Sequence, residues 1–178
     1  MKSVKVFVPY GAVGLNCTEE AFEAGLAMKP DIISSDAGST DSGPYYLGSG
    51  RGKYSIRDVK RDLKRMVLGA DKLGIPMTIG SAGTCGSDEG VDMAYKLICE
   101  ICEEAGIHKK IARIYSQQNA ETLKAKYREG KITALHGAPE ISEKTFDECS
   151  TIVALLGAEA YEEAFKNGAD IIIGGGAP

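Results

Sequence analysis

The chain has 178 residues, 43% of them hydrophobic and 26% charged, with a formal net charge of −4. That length suits one domain with a core of its own, and the acidic balance excludes a general nucleic-acid binder. No apolar run is long enough to span a bilayer, and the short N-terminal run is interrupted by Lys5 and then by Pro9, Tyr10 and Gly11, which excludes a signal peptide. Five cysteines, an odd number in a chain too large to need bridging, point to reduced thiols and a cytoplasmic protein.

Residues 5–10 (KVFVPY) read as a first strand, followed by a loop with Gly11, Gly14 and Asn16. Thr18 caps the next helix, with Glu19 and Glu20 in its first turn and Lys29-Pro30 as its end. A second strand, 31–35, breaks into a long polar loop. Ser55 and Asp58 fit a capping box, and Ile56, Val59, Leu63, Met66, Val67, Ala70 and Leu73 lie on one face of the helix that follows. Gly74 stops it. Strand three is 76–80, and a second glycine-rich loop, GSAGTCGSDEG (80–90), leads into a helix from about Asp88 to Ala105. Val91, Tyr95, Ile98, Cys102 and Ala105 are its predicted inner face.

Strand four is 110–115, and Asn119 caps a short helix that ends near Arg128. Residues 131–135 form a weak fifth strand, 136–139 a loop, and Ser142 caps another short helix. A strand at 151–156, a helix at 158–167 closed by Gly168, and a last strand at 170–174 complete the chain. The alternation predicts a single α/β domain: an open, mostly parallel sheet with helices on both faces and a ligand site at the C-terminal edge of the strands. The last strand runs into Gly174-Gly175-Gly176-Ala177-Pro178, where another helix is the usual continuation. That pattern reads as a domain truncated or completed by a partner chain, either a complementary C-terminal subunit or another copy in a homo-oligomer.

Polar or glycine-rich segments follow nearly every strand, and in a parallel sheet these ends share one rim. Asp36 and Asp41 there suit acid–base work or the anchoring of ligand hydroxyls. With Asp88 they also supply oxygen ligands for a divalent cation, the basis of a metal-dependent hydrolase reading. His136, on the loop after the fifth strand, is a general-base candidate. The 80–90 loop reads either as an anion cradle or as an ordinary helix-start turn. It lacks the Gly-Lys-Ser/Thr of a Walker loop, and the first loop lacks Gly-x-Gly-x-x-Gly, so neither ATP nor NAD is expected. Cys85 in that loop precedes a helix, where a thiol pKa can fall, whereas Cys99 and Cys102 read as small hydrophobes within a helix. Arg51, Lys53, Arg57, Lys60, Arg61, Lys64 and Arg65 form a basic cluster offset by Asp58 and Asp62, with Arg51 and Lys53 the better placed for an anionic ligand.

The segment DAGSTDSGPYYLGSG (36–50) resembles the acyclic terpene utilisation (AtuA-like) family, and the similarity continues through Val59-Lys60-Arg61-Asp62-Leu63, Gly74-Ile75-Pro76 and Gly80-Ser81-Ala82-Gly83. Ser116-Gln117-Gln118 and Gly168-Ala169-Asp170 are weaker matches. The resemblance covers the family's N-terminal portion. It departs at Thr84-Cys85-Gly86-Ser87 and at the terminal glycine run. It implies a bacterial or archaeal protein of acyl-CoA or branched-acid catabolism.

Together these readings predict an enzyme acting on a small carboxylate or CoA thioester by proton transfer beside a carbonyl, of the hydratase, dehydratase or isomerase kind. Asp36, Asp41 and His136 are the acid–base candidates. Ser39, Thr40, Ser81 and Gly83 would bind the carboxylate or oxyanion, Tyr45 and Tyr46 would wall the pocket, and Arg51, Thr84, Cys85 and Gln117 complete the predicted contacts. The rival expectation is a non-catalytic ligand-binding or assembly subunit.

Overall fold

The computed structural model describes residues 3–38 and 44–176. Ser39, Thr40 and Asp41 lie outside the described residues. Five strands form one sheet in the order β1-β2-β3-β5-β4, every pairing parallel. They are β1 (Val6–Phe7), β2 (Ile32–Asp36), β3 (Met77–Gly80), β4 (Ile111–Ile114) and β5 (Ile171–Gly174). The helices are α1 (Glu19–Ala27), α2 (Tyr45–Ser49), α3 (Ile56–Leu73), α4 (Asp88–Ala105), α5 (Ala120–Arg128), α6 (Glu143–Glu148) and α7 (Ala158–Lys166). The architecture is the expected α/β fold.

Alternate strand residues go to opposite faces. Ile33, Met77, Ile79, Ile171 and Ile173 share one core with Phe22 and Leu26 of α1, Leu63, Met66 and Val67 of α3, and Val91, Ile98 and Ile101 of α4. Right-handed crossovers place α1, α3 and α4 on that face. After β4 the chain turns back to insert β5 beside β3, so its return helix α7 lies on the other face, over β5. Ile172, also fully buried, points that way. Further along the same face the cover ends: Val4, Val6 and Val8 at the β1 edge are 68%, 54% and 58% exposed.

The predicted caps form. Thr18, Ser55 and Asn119 accept hydrogen bonds from first-turn amides of α1, α3 and α5, and Gly74 ends α3 in the left-handed region. The inner faces are shifted in detail. Ile56 is exposed and Gly69 buried on α3, while on α4 Ala94, Leu97 and Ile101 are buried and Ala105 is exposed. Two predicted strands do not form. Residues 131–135 carry an alternating apolar pattern but pair with nothing in the sheet, and Leu135 is 81% exposed. Residues 151–156 make only an isolated antiparallel bridge, Val153 to Gln117. The long loop after β2, read as irregular throughout, contains the short helix α2.

One buried carboxylate fixes the first loop. Asp62 on α3 is 0% exposed; its Oδ2 accepts from the amides of Gly14 at 2.8 Å and Asn16 at 3.0 Å, and its Oδ1 accepts from Arg61 Nε at 2.9 Å. Its main-chain oxygen accepts from the Tyr10 hydroxyl at 3.4 Å. In the sequence it looked like one acidic offset in a surface cluster. It is instead the acceptor for two loop amides that have no strand to pair with. Asp62→Ala is expected to lower the unfolding free energy by about 3 kcal/mol, because it strands two loop amides and removes one of the two carboxylate partners of Arg61. Asp62→Asn, which keeps one acceptor oxygen, should cost less. Urea unfolding of both variants measures this, and a loss under about 1 kcal/mol for the alanine variant would contradict it.

Candidate active site

The strand ends meet as expected, and main-chain hydrogen bonds join their loops. Val13 N donates to Asp36 O at 2.8 Å, Ala37 N to Gly80 O at 2.9 Å, Ala82 N to Gly174 O at 3.0 Å and Gly175 N to Ile114 O at 2.9 Å. The 80–90 loop is folded tightly against the end of β5. A Cβ on Gly86, whose φ is +68°, would lie 2.5 Å from the Gly176 nitrogen. The amides of Ala82, Gly86, Asp88 and Gly90 donate to Gly174 O, Ala82 O, Gln117 Oε1 and Ser87 Oγ. Four of the loop's amides are thus engaged within the molecule, as in a helix-start turn.

A groove beside this rim, about 340 Å³, lies on the α7 face of the sheet. Ser34, Ser35 and Asp36 from β2, Thr78 and Gly80 from β3, and Leu156, Gly157, Ala158 and Tyr161 at the start of α7 line it. Its volume falls at the lower end of the range for small-molecule sites. Asp36 closes β2, and the Gly38 amide donates to its Oδ1 at 2.9 Å. Oδ2 has no hydrogen-bond partner among the described residues. The Thr78 hydroxyl donates to Ser34 Oγ at 2.7 Å, so the groove floor carries a pair of coupled hydroxyls. Tyr161 reaches across β5 to donate its hydroxyl to Ile79 O at 3.3 Å. Burial raises its pKa above the ordinary 10.0, and the nearby Asp36 charge raises it further. Asp36 is the sole charged side chain among the described groove-lining residues.

The other predicted site residues among those described fall elsewhere. Tyr45 and Tyr46 begin α2, packed edge to face at 5.2 Å, with Tyr45 exposed. Arg51 is exposed on the segment after α2. Thr84, at a φ of 75° that β-branched residues rarely adopt, accepts from the Lys53 amide at 3.0 Å. Gly83 and Thr84 line a narrow apolar cavity with Val13, Tyr54 and Met93. Ser81 also has a positive φ, 46°. Cys85 is buried and its thiol donates to Ser87 Oγ at 3.2 Å. Gln117 pairs with Asp88, and both line a separate polar groove with Asn119, Cys149 and Thr151. His136 is exposed, on the segment that follows the expected strand that did not form.

Most of the basic cluster on α3 is engaged within the molecule. Lys60 pairs with Glu100 and Glu104, Lys64 with Glu104, Arg61 with Asp58 and Asp62, and Arg65 with Glu19. The two lysines hold the Glu104 carboxyl down to about 2. These pairs tie α3 to α4 and α1. Asp36 and Asp88 line different grooves, and no trio of His, Cys, Asp or Glu side chains among the described residues is placed to hold a metal ion. Cys102 is buried, and burial pushes its thiol up, as suits a small core residue.

Residues 58–177 match the model of the acyclic terpene utilisation family protein AtuA, which is more than half of the chain. The chain belongs to this family. No curated protein and no solved structure matches it. No helix among the described residues is long and apolar enough to cross a membrane.

Tyr161, not singled out from the sequence, thus becomes part of the candidate site. It has a pH signature. A raised folded-state pKa contributes stability that is complete below the unfolded tyrosine value of 10.0 and is lost as pH rises through the folded value. Tyr10, raised by burial and by Asp62, contributes in the same direction. Urea unfolding from about pH 9 to about pH 12 should show falling stability, with a smaller fall in Tyr161→Phe. Equal slopes in the two proteins would contradict the burial of this hydroxyl.

Proposed function

We propose that this chain carries the active site of an enzyme of acyl-CoA or small-acid catabolism that moves a proton at the carbon beside a carbonyl. Asp36 is the base. The observation that carries this reading is its geometry: one carboxylate oxygen is fixed by the Gly38 amide, while the other, without a partner among the described residues, belongs to a side chain that lines the groove. A base held in one orientation and open on one side can approach a C–H bond without reorganising. As the proton leaves, charge develops on the carbonyl oxygen, and hydroxyl donors stabilise it best when already in place. Ser34, Thr78 and Tyr161 supply hydroxyls along the same groove. Return of the proton to the same carbon gives exchange, and its return to a neighbouring position gives isomerisation. Loss of a β-hydroxyl instead gives dehydration.

Charge favours a thioester over a free acid. No lysine or arginine is among the groove-lining residues, and Asp36 is already negative, so a free carboxylate would meet repulsion without a countercharge. A thioester carbonyl brings no charge into the groove, and its α-proton is the more acidic. Membership of the acyclic terpene utilisation family supports a role in the breakdown of branched acyl groups.

A second reading has its own observation. The uncovered valines at the β1 edge lie on the same sheet face as the groove, which favours a binding or assembly subunit that a partner completes. One experiment separates the two. Acetyl-CoA and isobutyryl-CoA are incubated with the protein in D2O, loss of the α-proton signal is followed by NMR, and thermal midpoints are recorded in parallel. The enzyme reading expects exchange that Asp36→Asn abolishes, with the folded state intact. A raised midpoint without exchange would support the binding subunit, and exchange unchanged in Asp36→Asn would remove Asp36 from the chemistry.

A further inference from the structure

Tyr161 occupies a position that the chain makes special provision for. It stands on α7, one turn into the helix, and its ring lies across the end of β5 so that its hydroxyl reaches β3. That path exists because residue 174 is glycine. A Cβ built on Gly174 would overlap the Tyr161 hydroxyl and sit 2.7 Å from its Cζ. Gly174 is the last residue of β5, paired with Ile114 of β4 and buried, where a β-branched residue like the preceding isoleucines would otherwise fit. The same phenol lines the groove that holds Asp36. Its bond to Ile79 O, at 3.3 Å, is long for an O–H donor. The phenol could give up this contact for a closer acceptor at little cost.

We propose that Tyr161 is the second reacting group of the groove, donating its hydroxyl proton in a hydrogen bond to the carbonyl oxygen of the bound acyl thioester while Asp36 takes the α-proton. This inference rests on the proton-transfer reading above. The step balances without an oxidant or reductant. The Cα–H bond breaks and its proton goes to Asp36 Oδ2. The electron pair becomes the new C=C bond, and the carbonyl π pair moves to the oxygen that accepts from Tyr161 Oη. Reprotonation of carbon by Asp36 reverses each movement. A phenol is protonated at neutral pH, and burial raises its pKa further, so it enters the step as a donor. The two groups have separate tasks, and removing either leaves the other in place.

The test uses Tyr161→Phe, which keeps the ring over Gly174 and removes only the oxygen. Isobutyryl-CoA labelled with carbon-13 at the carbonyl is bound to the wild type, to Tyr161→Phe and to Asp36→Asn, and the carbonyl stretching band is read by difference infrared spectroscopy. The expected result is a band shifted to lower frequency in the wild type and in Asp36→Asn, with the shift lost in Tyr161→Phe. In the same samples, the kcat of α-proton exchange should fall about a hundredfold in Tyr161→Phe with KM little changed, the pattern of a donor that acts mainly in the transition state. A residue that only anchors α7 would leave the band where it is. A shift that persists in Tyr161→Phe, or no shift in the wild type, overturns the proposal whatever the exchange rates show. A shift lost in Tyr161→Phe with no exchange by the wild type would uphold Tyr161 as the carbonyl donor and overturn the proton-transfer reading instead.

Discussion

The rim of this sheet closes because the chain has no side chains at Gly174, Gly175 and Gly176. A Cβ at any of them would strike a neighbour: the Tyr161 hydroxyl at the first, Ser116 and Gly86 O at the second, Ala154 O at the third. Without them the end of β5 passes between the loops that follow β3 and β4. Its main chain meets Ala82, Ile114, Ser116 and Leu156 through hydrogen bonds. β5 lies in the middle of the sheet between β3 and β4. A close fit at its end therefore fixes the positions of both neighbouring loops and brings the start of α7 to the groove. The glycine run at 174–176 is what lets the rim pack.

That packing explains the division of labour at the strand ends. The loop after β3 is rich in exposed amides when read as residues, but four of them donate to Gly174 O, Gln117 Oε1 and its own turn. The first loop is tied down by the buried carboxylate of Asp62. Backbone polarity at the rim thus goes mostly into holding the loops together, as buried amides require. The groove left over is furnished by side chains instead, and their character is hydroxyl and carboxylate rather than cationic. The basic cluster on α3 largely pairs with carboxylates on α1, α3 and α4, whereas Asp36 and Tyr161 line the groove.

Much of this was legible in the sequence, for local reasons. Thr18, Ser55, Gly74 and Asn119 act on their immediate neighbours, so their roles as caps and stops follow from sequence alone. Asp36 at the end of a buried strand was legible for the same reason. What depended on strand order was not. Nothing local says that β5 inserts between β3 and β4, yet that insertion is what carries α7 and Tyr161 over β3. Read alone, Tyr161 is one more aromatic on an amphipathic helix, though its hydroxyl and the glycine at 174 were a pair that a strand order would have connected. Residues 131–135 misled in the opposite sense, because alternation shows what a strand could bury and not whether a neighbour is there to pair with. Without that strand, His136 loses the placement that made it a base candidate.

Ligand is expected to bind in the groove that Asp36 and Tyr161 line. Backbone amide shifts on titration with isobutyryl-CoA test it most directly, since they locate the ligand without presuming a reaction. Saturable changes are expected at residues 34–38, 78–80 and 156–161, on the α7 face of the sheet. Saturable changes grouped instead around residues 117–120 and 149–152, at the polar groove beside Asp88, would contradict it.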